Sequence, residues 1–157
     1  MIVSDIRGLL PLFDGALAPL QDAKKRLLAP NGVMIPRRDI LKGAIIEVEK
    51  AYSRLSSPWK TCVPHVKLSI PLQLVLNTGH SITVKVAELM SDPEELCTLD
   101  YTGNLGPNVS GKLAFLANRN GTAHGIGLWF DSELYEDIGF SAGPECPMTV
   151  HGQWFLP

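Results

Sequence analysis

At 157 residues the chain is about one domain long, enough to bury a core. Its 45% apolar and 19% charged content is ordinary for a soluble globular protein. A net charge of −2 gives no basic surface for nucleic acid or an anionic membrane; no apolar run reaches about 18 residues, and no signal peptide is visible.

Ile2-Val3 reads as the end of a buried strand that delivers Asp5 onto a loop, with Asp14 nine residues further on. A buried strand needs neighbours on both sides, so the chain is expected to be the back half of something larger. Leu17, Leu20, Ala23, Leu27 and Leu28 recur at three- and four-residue intervals, with Asp22, Lys24, Lys25 and Arg26 on the other faces. That spacing predicts a helix whose late basic residues complement its dipole. Ala29-Pro30-Asn31-Gly32 stops it and Val33-Met34-Ile35 begins a strand. From Pro36 the chain reads mostly β. A strand is expected over 40–48, then a short helix over 49–55 broken by Ser56-Ser57-Pro58. Val66, Leu68 and Ile70 alternate with Lys67 and Ser69, and an apolar run from Leu72 reaches the Asn77-Thr78-Gly79 turn. Ile82, Val84 and Val86 alternate as in a strand, and further strands are expected over 96–101, 109–117, 123–130 and 150–156. Many short strands with glycine-rich turns predict a sandwich or barrel.

Three cysteines, Cys62, Cys97 and Cys146, without a CxxC pair, argue for reduced thiols and a cytoplasmic protein. His65, His80, His124 and His151 are scattered without HxH or HExxH spacing, so no metal site is expected.

Three blocks carry a resemblance. The first is Ser4-Asp5-Ile6-Arg7-Gly8 with Asp14. The second runs from Ala23-Lys24-Lys25-Arg26 through Pro30-Asn31-Gly32 to Ile35-Pro36. The third joins Gly125 to Asp131, then Gly139-Phe140-Ser141-Ala142-Gly143-Pro144, then Pro147 to Gln153. Together they resemble the protein arginine methyltransferase family, in the half that follows its cofactor-binding core. In that family two glutamates stand at the separation of Asp5 and Asp14. The second block is similar to its helix, turn and fifth strand, and the third to a barrel strand, a phenylalanine-serine turn and a threonine-histidine-tryptophan loop.

The resemblance covers nearly the whole chain. It implies a mainly β fold with N-terminal helices (α+β), a β-barrel or sandwich preceded by the tail end of a Rossmann-like methyltransferase sheet. Residues 1–35 would be the remnant of the S-adenosylmethionine-dependent core and 36–157 the acceptor-binding β-barrel. S-adenosylmethionine lies on the Rossmann half in the family. Its glycine-rich loop and acidic ribose-binding residue have no counterpart here, so neither cofactor binding nor turnover is expected of this chain alone. A protein or peptide arginine is the implied acceptor. An exposed flank where a sheet belongs predicts homo-oligomers.

Two carboxylates suit this chemistry because they hold the planar guanidinium fork by charged hydrogen bonds and draw its charge toward one nitrogen. Asp5 and Asp14 occupy the matching positions, and each is one methylene shorter than glutamate. Arg7 lies between them and can neutralise either. Thr149 and Gln153 match the family's loop, whereas Val150 stands in place of histidine and His151 in place of tryptophan. His151 either pairs a carboxylate or lies on a solvent-exposed loop. Asp5 and Asp14 alternatively cap turns. His124 reads as a hydrogen-bonded barrel residue, and Trp59, Trp129 and Trp154 as packing. The family's helical dimerisation arm, after Trp59, looks shorter and altered. Three functions remain open: the acceptor half of an arginine methyltransferase-like enzyme, a methyltransferase-like protein with another acceptor, and a non-catalytic β-barrel interaction module.

Overall fold

Leucines spaced by three and four fold Leu17–Leu27 into helix α1, with Leu17 and Leu20 buried. Lys24, Lys25 and Arg26 occupy its last turn, as the dipole favours, and Arg26 pairs with Asp22 one turn back. The structure, a computed structural model, describes residues 1–12, 15–60, 66, 68–106 and 108–157. After α1 the chain turns through Asn31, at φ 58°, into strand β2 (Met34–Ile35), which runs parallel to β1 (Ile2–Val3) with Ile2 opposite Met34. The expected burial of β1 needs correction. Ile2 is half-buried but Val3 is exposed, because β2 is the only strand paired with it among the described residues.

The rest is mainly an antiparallel sheet of six strands: β3 (Arg38–Ile46), β4 (His80–Ile82), β5 (Glu94–Asp100), β6 (Gly125–Tyr135), β7 (Ile138–Ser141) and β8 (Gln153–Leu156). Its order is β4-β8-β6-β3-β5. The long strand β6 carries β3 along one edge and shares the other between β8, at Ile126–Leu128, and β7, at Asp131–Tyr135. The period of two along β3 sends Asp39, Leu41 and Gly43 inward. One core cluster joins Leu10, Leu17, Leu20 and Met34 of the N-terminal segment to Leu41, Leu99, Trp129 and Phe130 of the sheet. A second, of Ile46, Val48, Val84 and Phe155, packs against Tyr52 and Leu55.

Several sequence expectations shift. Helix α2 spans Glu49–Lys60 and runs through Pro58 instead of breaking at Ser56-Ser57-Pro58. Proline near a helix end removes one internal bond, while Tyr52 and Leu55 keep their packing on the second cluster. The alternating Val66–Ile70 segment leads into helix α3 (Ser69–Leu76). Its last carbonyls are satisfied by side chains: the Asn77 amide donates to Gln73 O at 2.8 Å and the Thr78 hydroxyl to Leu74 O at 2.7 Å. Strand β4 stops at Ile82 because Val84 N donates to the Gln153 Oε1 at 2.6 Å instead of to a ladder. The expected strand over 109–117 forms no ladder beyond one bridge, Ala117 to Ser91, although Val109 and Leu113 pack on the core. β7 falls where the phenylalanine-serine turn was read, and β8 starts only at Gln153.

Where β6 begins, Gly125 has φ 155° and an added Cβ would lie 2.1 Å from Leu156 O. Gly125→Ala is therefore expected to cost at least about 2 kcal/mol in urea unfolding by pushing β6 and β8 apart.

Candidate functional site

Strand β1 ends at Val3, and the next residues cross to the sheet. Ser4 N still donates to Ile35 O at 2.9 Å, which fixes where Asp5 leaves β2. Gly8, at φ 67°, turns the chain back immediately after Arg7. Between these two constraints the Arg7 side chain is driven into the protein, where it is only 4% exposed.

The sheet prepares a place for it. Asp39 on β3, Ser132 on β6 and Phe140 on β7 stand in one cross-strand row, since Asp39 pairs with Ser132 and Ser132 with Phe140. Arg7 Nη1 donates to Asp39 Oδ1 at 2.8 Å and to Ser132 Oγ at 2.7 Å. Its Nε and Nη2 donate to Asp5 Oδ1 at 3.2 and 3.0 Å. The rings of Phe130 and Phe140 each lie 5.5 Å from the guanidinium carbon. The other Asp39 oxygen accepts the Tyr101 hydroxyl at 2.7 Å, so both oxygens of a fully buried carboxylate are satisfied. Burial, and next the adjacent Asp39 carboxylate, push the Tyr101 phenol above its ordinary value, so it stays protonated and donating.

His151 completes the site from the loop before β8. Its ring stacks on Phe140, centroids 5.3 Å apart and planes 10° from parallel, and meets Phe130 edge-on. Nδ1 lies 3.1 Å from Gly8 O and Nε2 lies 3.5 Å from Asp5 Oδ1. Its side chain is one tenth exposed, so the solvent-exposed reading gives way to the carboxylate-facing one. Thr149 holds this loop by accepting from His151 N and donating to His151 O. Gln153 braces it further, its Nε2 donating to Ala142 O at 2.8 Å.

The structure therefore brings Asp5 and His151 together. Asp14 lies outside the described residues. Among the described residues the Asp5 carboxylate, 60% exposed, accepts no backbone N–H as a cap would and faces Arg7. Asp39, Tyr101 and Ser132 escaped the sequence reading. The available signal was Asp39 itself, a carboxylate at an inward position of an apolar strand. His124 accepts Val48 N at 3.2 Å, as a structural histidine would, and Trp129 is core.

A groove of about 470 Å³ opens beside His151, lined by Leu9, the 81–86 segment and the 142–153 loop. It has no carboxylate in its walls and one cation, Lys85, so it does not fit a positively charged sulfonium nucleoside. Among the described residues no group of three metal-ligating side chains occurs, and no helix is long and apolar enough to cross a membrane.

Truncating Arg7 leaves Asp39 buried and unpaired. Arg7→Ala is expected to cost about 3–5 kcal/mol in urea unfolding, and the double variant with Asp39→Ala about 1–3 kcal/mol less than the sum of the two singles. Tyr101 adds a pH dependence. Its raised folded value contributes stability below the ordinary phenol value of 10, which is lost as pH climbs above it. The unfolding free energy should fall with rising alkaline pH, and less steeply in Tyr101→Phe.

No family model and no curated protein sequence matches the chain. Solved structures do. The chain superposes on a PRMT1 enzyme–prozyme heterotetrameric complex with AdoHcy from Trypanosoma brucei at TM-score 0.86 and 19% identity, over 99% of this chain and 50% of that one. It matches protein arginine methyltransferase 10 of Arabidopsis thaliana, in an open conformation, at 0.73 and 17%, over 99% and 54%. A structure titled PRMT6-SAH matches at 0.57 and 19%, over 99% and 55%. The chain spans about half the length of these structures, and its mainly β architecture with three helices is that of a protein arginine methyltransferase half.

Proposed function

We propose that the chain is the acceptor-side half of a protein arginine methyltransferase-like protein. It contributes the sheet against which an acceptor lies and a carboxylate loop that faces the transfer site. The observation that carries this reading is the juxtaposition of Asp5, on the loop after β1, with His151, on the loop before β8, within a chain 99% of which superposes on half of the T. brucei structure. Residues 1–35 read as the end of a cofactor-binding sheet and 36–157 as the acceptor-binding barrel. S-adenosylmethionine would be supplied by the half of the fold this chain does not span, and a protein or peptide arginine is the acceptor implied.

A second reading, a non-catalytic interaction module, has a specific observation in its favour. Asp5 already spends one oxygen on two N–H groups of Arg7, and an acceptor guanidinium would meet that cation beside it. The two readings separate in a transfer assay. Mixed with S-adenosylmethionine and arginine-rich peptides, the chain alone is expected to give no methylarginine by mass spectrometry. Joined to a cofactor-binding half, the enzyme reading requires turnover that Asp5→Asn abolishes; no turnover in the joined protein leaves the module.

The described part of the segment after Trp59 suits association with a second copy. Helix α3 has no buried residue, and Ile70 and Leu74 are each about two-thirds exposed. Such a face invites burial against another chain, and the T. brucei neighbour is a heterotetramer. The chain is expected to sediment as a dimer or larger species, and Ile70→Glu with Leu74→Glu to return it to monomer.

A further inference from the structure

We propose that Asp5, Asp39, Ser132, Phe130 and Phe140 form a guanidinium receptor already filled by the chain's own Arg7, and that this occupancy keeps an external arginine side chain off Asp5. The second half of the proposal rests on reading Asp5 as the acceptor-side carboxylate; the receptor itself does not.

The receptor meets four of the five guanidinium N–H groups. Four N–H directions of the guanidinium meet acceptors: Nε and Nη2 meet Asp5, and Nη1 meets both Asp39 and Ser132. Two carboxylates and a hydroxyl within hydrogen-bond distance, with aromatic rings close by, are features by which a protein selects a guanidinium over an ammonium. Apart from Asp5, on the loop after β1, the lining comes from three adjacent strands in register, so Asp39, Ser132, Phe130 and Phe140 are held by the sheet and not by the arginine. The nearby cations Arg38 and Lys42 are engaged with Glu133 and Asp131. Asp39 has no other cationic partner among the described residues, so emptying the site leaves it needing a cation of guanidinium shape. Arg7 reaches the site from a short loop, and a tethered side chain competes at a high effective concentration against any ligand from solution.

The test has two arms on the full chain, and neither needs cofactor or methyl transfer. In Arg7→Ala, guanidinium ion well below denaturing concentrations should raise thermal stability saturably, or restore the native near-ultraviolet spectrum if the variant alone is unfolded. The affinity should exceed that of the unaltered chain by on the order of tenfold or more, since one charge-assisted hydrogen bond carries about that factor. Urea, planar and neutral, should give no saturable gain. No gain from guanidinium, or an equal gain in the unaltered chain or with urea, overturns the receptor. In the second arm Nα-acetylarginine methyl ester is titrated into the unaltered chain while the His151 imidazole is followed by NMR. An absence of saturable shifts supports occupancy. A saturable shift overturns it and leaves the acceptor-side reading standing.

Discussion

The ion pair between Arg7 and Asp39 is the contact on which the geometry of this protein turns. Each charge alone would cost several kcal/mol to bury. Together, with Ser132 and Tyr101 filling the remaining hydrogen-bonding positions, they are compensated. The pair spans 32 positions of sequence and ties the loop after β1 to the middle of the large sheet. Apolar packing of Leu10, Leu17 and Leu20 brings the N-terminal segment to the sheet but is not directional. The guanidinium fork, with its fixed donor directions, sets where the loop stops. His151 then finds Gly8 O and the Asp5 carboxylate in place because Arg7 has fixed both.

That arrangement links the fold to the choice between catalyst and scaffold. A carboxylate that is to grip an acceptor must present its lone pairs outward. Asp5 is one methylene shorter than glutamate and turns one oxygen toward Arg7, whose cation weakens its pull on a second guanidinium. At aligned sites a displacement near 1 Å costs about a hundredfold in rate. Shortening and neutralisation act in the same direction here. His151 acts in the same direction, because its ring nitrogen faces the Asp5 oxygen that Arg7 already occupies, while its ring holds the loop against Phe130 and Phe140.

Much of this architecture was legible in the residues. The leucine spacing of α1, the Pro-Asn-Gly stop and the strands expected over 40–48 and 123–130 depend on local signals, and the structure places α1, β3 and β6 there with the strand ends shifted. The resemblance to the methyltransferase half rested on motif blocks and is matched by the fold comparison. What escaped depends on partners far along the chain. Nothing local separates 109–117, which forms only the bridge from Ala117 to Ser91, from a ladder strand. Pro58 is a helix breaker only where packing does not outweigh one lost bond. Asp39 was visible as a carboxylate out of place on an inward face, yet its partner lies 32 residues earlier and its second donor, Tyr101, 62 residues later. Arg7 was seen to neutralise a carboxylate; that the sheet supplies a second, buried one follows only from strand register.

The buried carboxylate also explains why an arginine, rather than a lysine, stands at position 7. A lysine ammonium is a point charge on a flexible stem, able to satisfy Asp39 or Asp5 but poorly placed for both. The planar fork reaches both at once, because Nη1 points to Asp39 and Ser132 while Nε and Nη2 point to Asp5. Two carboxylates about one guanidinium is also the recognition problem an arginine methyltransferase solves for its acceptor. In this chain the solution is intramolecular, and any arginine arriving from solution must displace a side chain that is tethered, buried and bonded on both sides. Occupancy of that place by the protein itself is therefore a physical property of the sequence around position 7, independent of whether a cofactor-binding half is joined to it.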